Sequence, residues 1–152
     1  MRARQMTKRF LWTIAPGAVA LLAILPVAAV AQTPSPPPSG SNVVLDGKQE
    51  VPAVTTGASG SGTITVLMDR SVSGSVTTTG VAGSAAHIHL AGPGQNGPVI
   101  VPLNKTGDNV WSVPPSIRFN DLQYEAYKLG NLYVNVHSAA NPGGEIRGQI
   151  MP

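Results

Sequence analysis

The chain has no cysteine among its 152 residues. That excludes disulfides, thiolate metal sites, a cysteine nucleophile and a lipidated cysteine anchor. Aromatic residues make up 5% and charged residues 11%. A surface that reads nucleic acid needs clustered Lys and Arg interleaved with stacking rings, and neither is present. The formal charge of +3 is misleading, because four of the ten basic residues (Arg2, Arg4, Lys8, Arg9) lie at the extreme N-terminus. The other six (Lys48, Arg70, Lys105, Arg118, Lys128, Arg147) are scattered against seven acidic residues. No nucleic-acid partner is expected. Histidine is also scarce, with three in all.

Glycine (17) and proline (14) are abundant, and Val, Thr and Ser dominate beyond the first forty residues. This is the composition of an all-β domain with many turns. Residues 1–31 read as a signal peptide: a basic start, an almost wholly apolar Phe10–Val27, and Ala29-Val30-Ala31 as the small-x-small cleavage signature before Gln32. An uncleaved anchor is the alternative reading of that segment, since Phe10–Ala31 nearly spans a bilayer. After cleavage no membrane span is expected, and the domain is exported, to the periplasm or the medium. Residues 32–41 form a Pro/Ser-rich linker, held extended by four prolines. The folded domain is expected over 42–152.

Alternation of polar and apolar residues marks the strands. Val43–Leu45 is followed by a turn at Asp46-Gly47 and an extended piece, Gln49–Val54, which Pro52 assigns to an edge. Gly60–Met68 and Ser71–Thr79 read as a hairpin, with Ile64, Val66 and Met68 on one face. Further strands are expected at 85–90, 98–103, 110–113, 132–138 and 145–150. Asn104-Lys105-Thr106 fits the glycosylation triplet, which matters only in a eukaryotic secretory pathway. One short helix is expected after Asn120, with Gln123 closing a capping box, a stripe of Leu122, Ala126 and Leu129, and Gly130 as the stop. Seven or eight short strands separated by turn signals point to a two-sheet sandwich or flattened barrel.

All three histidines fall in two strands. His87 and His89 alternate with Ile88 and Leu90, and His137 shares a face with Tyr133 and Asn135, opposite Leu132, Val134 and Val136. Residues i and i+2 of a strand point the same way, about 7 Å apart, so His87 and His89 can aim at one point. A third imidazole from an adjacent strand would complete three nitrogen ligands for zinc, or for copper. Asn135 and Glu145 are candidates to support the ligands, and Glu145 is a candidate fourth ligand. The competing reading leaves the histidines on a solvated sheet face, bonded to neighbouring loops. Glu50, Glu145 and Arg147 suggest an ion pair between the first strands and the last. The four rings of Trp111, Tyr124, Tyr127 and Tyr133 read as core and rim packing. The Gly-rich loop 91–97 lacks the lysine and helix start of a phosphate cradle.

Five blocks occur in a set order: Leu45-Asp46-Gly47-x-Gln49-Glu50-Val51-Pro52; Ala86-His87-Ile88-His89; Gly94-x-Asn96-Gly97-Pro98-Val99; Gly130–His137; and Asn141–Ile150. Together they resemble the CHRD (chordin-type) domain of bacterial exported proteins, over about residues 43–150. The resemblance implies an immunoglobulin-like antiparallel β-sandwich of about seven to eight strands with one short helix. It implies an extracytoplasmic binding protein, sometimes connected with metals. The His-x-His strand also looks like part of Cu/Zn superoxide dismutase. Three histidines cannot build that dinuclear site, and a copper-only version would lack its fourth histidine. The zinc of carbonic anhydrase also sits on three histidines, but the rest of that much larger enzyme is absent. The expectation is therefore a non-catalytic binding module, with zinc or copper as candidate ligand at His87, His89 and His137. The alternatives are a metal-free structural domain that docks a protein or a cell-surface partner and, last, a metal-dependent oxidoreductase with superoxide-dismutase-like chemistry.

Overall fold

The computed structural model describes residues 40–152. The expected signal peptide and nearly all of the linker lie outside the described residues. Nine antiparallel strands form one hydrogen-bonded order: β1 (Ser41–Asp46), β2 (Ser59–Val66), β3 (Val72–Thr79), β4 (Gly83–Leu90), β5 (Val99–Pro102), β6 (Asn104–Gly107), β7 (Val110–Ser112), β8 (Leu132–Ser138) and β9 (Ile146–Ile150). The order across the sheet is β5-β4-β8-β9-β1-β2-β3-β7-β6. The all-β class therefore holds. The first and last strands in this order are consecutive in sequence, separated only by Leu103, whose N–H donates to the Ala86 carbonyl at 2.9 Å. One segment supplies both edges and nearly closes the sheet.

The core follows from the alternation. Val43 and Leu45 of β1, Ile64 of β2, Val76 of β3, Ile88 of β4, Val134 and Val136 of β8, and Ile146 and Ile150 of β9 are all buried in a single cluster. The β2–β3 hairpin is present, with Ile64 opposite Gly74. Met68, expected beside Ile64 and Val66, lies beyond the end of β2 and is 92% exposed.

Three further expectations are corrected. Gln49–Val54 is not a strand. Asp46 accepts from the backbone N–H groups of Lys48 and Gln49, which bends the chain into a 3-10 turn at Gly47–Gln49, and Gly47 then accepts from the Val54 N–H at 2.8 Å. Residues 104–107, read only as a glycosylation triplet, form β6. The strand is exposed throughout and so carries no hydrophobic alternation.

The third correction concerns the helix α1 (Asp121–Lys128). It has the expected Asn120–Gln123 capping box, and Gly130 stops it at a φ of +68°. Its buried residues, however, are Ala126 and Tyr127, while Leu122 and Leu129 are 67% and 73% exposed. The Tyr127 hydroxyl reaches Ser41 Oγ at 3.1 Å, which helps turn the tyrosine face of the helix to the sheet. Among the described residues no helix is long and apolar enough to cross a membrane.

Candidate metal centre

Strands β4 and β8 are neighbours. Ala85 stands opposite His137, His87 opposite Asn135, and His89 opposite Tyr133. On the other side of β8, Asn135 faces Arg147 and Tyr133 faces Gln149. The alternation that sends Ile88, Val134 and Val136 into the core thus gathers His87, His89, Tyr133, Asn135, His137 and Arg147 on the opposite face.

That face is not solvated as one reading expected. His89, Tyr133, Asn135 and Arg147 are all buried, because three non-strand segments fold over them. Loop 91–97 is tied down by Arg147, which donates to the carbonyls of Gln95 (2.8 Å) and Gly92 (3.1 Å). The turn after β1 is tied by Asn135, whose Nδ2 donates to both Glu50 carboxylate oxygens at 2.8 and 3.0 Å. The turn before β9 is held by His137, which bonds the Pro142 carbonyl at 3.0 Å.

The three imidazoles converge. Each offers one nitrogen, and these nitrogens all lie within 4.8 Å of one another. A carbonyl oxygen can only accept, so the 2.9 Å contact of His89 Nδ1 with the Gly97 carbonyl assigns the proton to Nδ1 and leaves Nε2 a lone pair. The same reasoning places the proton of His137 on Nδ1, against Pro142. Its Nε2 lies 3.0 Å from His87 Nδ1, which donates to it. His89 Nε2 is buried with no hydrogen-bond partner. A buried acceptor left unpaired costs about 1–3 kcal/mol.

The surroundings favour the neutral form of His87 and His89. Burial is the main cause that holds His87 below the ordinary imidazole range, with the neighbouring His137 and His89 acting in the same direction. Burial likewise lowers His89, opposed by its bond to Gly97 and reinforced by His137 and Arg147. Neutral imidazole is the form that binds metal.

The remaining candidates are placed elsewhere. Glu145 is not among the converging ligands: it accepts from Thr56 Oγ1 at 2.9 Å and from Ser138 Oγ. These bonds, that of Ser138 foremost, hold its carboxyl below the usual range against the effect of burial. Asn135 stands beside the histidines with its amide nitrogen on Glu50 and its Oδ1 buried and unpartnered.

The expected ion pair does not form. Arg147 bonds loop carbonyls, and among the described residues the salt bridges are Arg70–Asp121, Arg118–Asp69 and Lys128–Glu125, all partly exposed. Glu50 feels Arg147 only at a distance. Burial pushes it up to about 7 against the opposing pull of Arg147, a backbone bond at Val51 and Asn135.

Tyr133 packs as expected, and it does so against the candidate site. The His89 ring stacks on it at 4.8 Å with the planes 7° apart, and the Arg147 guanidinium, coming from β9, lies 3.4 Å from its centroid. Its place in the alternation, two residues before Asn135 and four before His137, was the available signal. The loop carbonyls of Gly97 and Pro142 left no such trace.

No curated protein and no solved structure matches the chain. A family model does: that of the CHRD domain, over residues 41–150, which takes in every block of the polar layer just described. The chain belongs to the CHRD domain family.

Proposed function

We propose that this protein is an exported, non-catalytic binding module that holds one transition-metal ion, zinc or copper, through His87, His89 and His137. The observation that carries this reading is the convergence of three imidazoles, each offering a nitrogen within 4.8 Å of the others, beside the buried, unpartnered Nε2 of His89. Two nitrogens bound tetrahedrally to one zinc at 2.0–2.1 Å lie about 3.3 Å apart. The His87–His137 pair is already at 3.0 Å, and the widest separation must close by about 1.5 Å. A shift of the His87 proton to Nε2 frees Nδ1 to join. The carbonyl bonds of His89 and His137 are the usual way a protein fixes the tautomer and orientation of a metal-binding imidazole.

Membership of a family not known for enzymes supports the non-catalytic reading. Export rests on the basic and apolar segment at 1–31. For the fold, the finer reading is an immunoglobulin-like sandwich with β1 joining its two layers. The single apolar core shared by strands from both ends of the sheet order supports it.

Metal content decides the question. The mature domain, purified without chelator and then offered zinc or copper, is expected to retain about one ion per chain, and the His87→Ala and His137→Ala variants to lose it. Binding to the native state must also raise the unfolding midpoint, by about 2.7 kcal/mol of stability at a free metal concentration a hundredfold above Kd. Wild-type protein that retains no metal overturns the reading. The 3.0 Å bond between His87 and His137 favours the second reading, a metal-free interaction domain in which the histidines satisfy each other. That reading expects all variants to fold and bind a protein or cell-surface partner unchanged.

A further inference from the structure

We infer that the three-histidine centre is open at its fourth coordination position and takes a small exogenous anion there. This rests on the metal reading above. The converging group contains three imidazoles and no carboxylate. Zinc and copper(II) take a fourth ligand at least, and neither a histidine nor a carboxylate of the described residues supplies it, which leaves a position for a ligand from outside.

The charge around the site says what fills it. A divalent ion on three neutral imidazoles keeps its full charge. The Arg147 guanidinium lies on the same Tyr133 ring that stacks against His89, and it has no carboxylate in direct contact among the described residues. Neither nearby carboxylate touches it, and Glu50 acts on it only at a distance. Glu145 is bonded by Thr56 and Ser138, and Glu50 by Asn135. Positive charge balanced only at a distance in a partly buried site is costly, and an anion at the metal relieves that cost in a way a neutral ligand does not.

The geometry also gives an approach. His89 is 8% exposed and seals one side, whereas His87 and His137 are only half-buried and leave the other side reachable. The expected class is a small, compact anion, such as hydroxide, azide or the carboxylate of a short acid.

The test uses the mature protein loaded with copper(II), stripped of unbound metal by gel filtration, and titrated with azide. Wild-type protein is expected to keep copper and to develop a new, saturable charge-transfer band at one azide per copper. The Glu145→Gln variant should give the same band with an affinity within about twofold of wild type, since Glu145 is held away from the ion. Retained copper whose spectrum azide leaves unchanged overturns the open position while leaving the metal reading standing. A band that appears only in Glu145→Gln also overturns it, because Glu145 would then be the fourth ligand. Failure to retain copper removes the metal reading itself, and the open position with it. The wild-type titration decides the first of these outcomes even where the variant fails to fold.

Discussion

Glu50 and Arg147 carry opposite charges in one buried layer without touching, and this sets a pH dependence of its own. Arg147 is 1% exposed and gives its protons to loop carbonyls, so it serves as a clamp for residues 91–97. Glu50 is left with the Asn135 amide and a carboxyl raised from 4.5 to about 7. Its native state therefore binds a proton more tightly than the unfolded chain does. The corresponding stability is fully present below about pH 4.5 and is lost as pH rises through about 7, a change on the order of 3 kcal/mol. Gln cannot ionise, so Glu50→Gln should gain on wild type by up to about that amount between about pH 5 and pH 8, read from denaturant midpoints in the presence of chelator. Arg147 and Asn135, the groups facing Glu50, are the same in both proteins. Parallel profiles for the two would show that Glu50 is already ionised across the range. At this scale the sequence was informative about which residues share a face, because the period-2 alternation of His87, His89, Tyr133, Asn135 and His137 is local. It could not disclose that Arg147 bonds carbonyls instead of carboxylates. That choice depends on where loop 91–97 lands, some fifty residues away in the chain.

Among the elements, the helix separates what local rules decide from what packing decides. The capping box was readable because it is made by residues three apart, and both of its bonds form: Gln123 N–H to Asn120 Oδ1 at 2.9 Å and Asn120 N–H to Gln123 Oε1 at 3.0 Å. The buried face was misread because a stripe of leucines at helical spacing says only that a face is apolar, not that anything covers it. Ala126 and Tyr127 lie against the sheet, and the leucines flank a cleft beside loop 91–98. Asn120→Ala should therefore cost about 1 kcal/mol by removing the cap. Leu122→Lys and Leu129→Lys should stay within about 0.5 kcal/mol of wild type, as exposed substitutions do. Urea midpoints of the three variants check both statements, and a loss above about 2 kcal/mol for either leucine would restore the stripe as the packed face. The missed strand β6 has the same origin in reverse. Exposed on every residue, it is held by pairing with β7 (Lys105 opposite Trp111), and pairing leaves no mark in hydropathy.

At the scale of the whole molecule, the near-closure of the sheet ties the histidine strand to the far edge. β5 pairs with β4, placing Pro102 opposite His87, and β6, beginning two residues later, pairs with β7 at the other end of the order. The hinge between them is Leu103, which is buried and bonded through its N–H to Ala86. In an open sheet the two edges would loosen independently. Here a single cavity at the hinge should loosen both. Leu103→Ala is expected to cost about 2–5 kcal/mol, as truncation of a buried leucine does. More tellingly, amide exchange should accelerate together in β4–β5 and in β6–β7, although these pairs are not neighbours in the sheet, while the β8–β9 amides between Leu132 and Ile150 keep their protection up to the global limit. Native-state hydrogen exchange under EX2 conditions reads all three regions in one experiment. Acceleration confined to β4–β5 would mean that the far edge is held by β3 and β7 alone and that the closure contributes nothing to it. Joint acceleration would make residues 99–107 the strap of the domain, and would explain structurally why the strand bearing His87 and His89 is backed on its outer side by a segment anchored at the opposite end of the sheet.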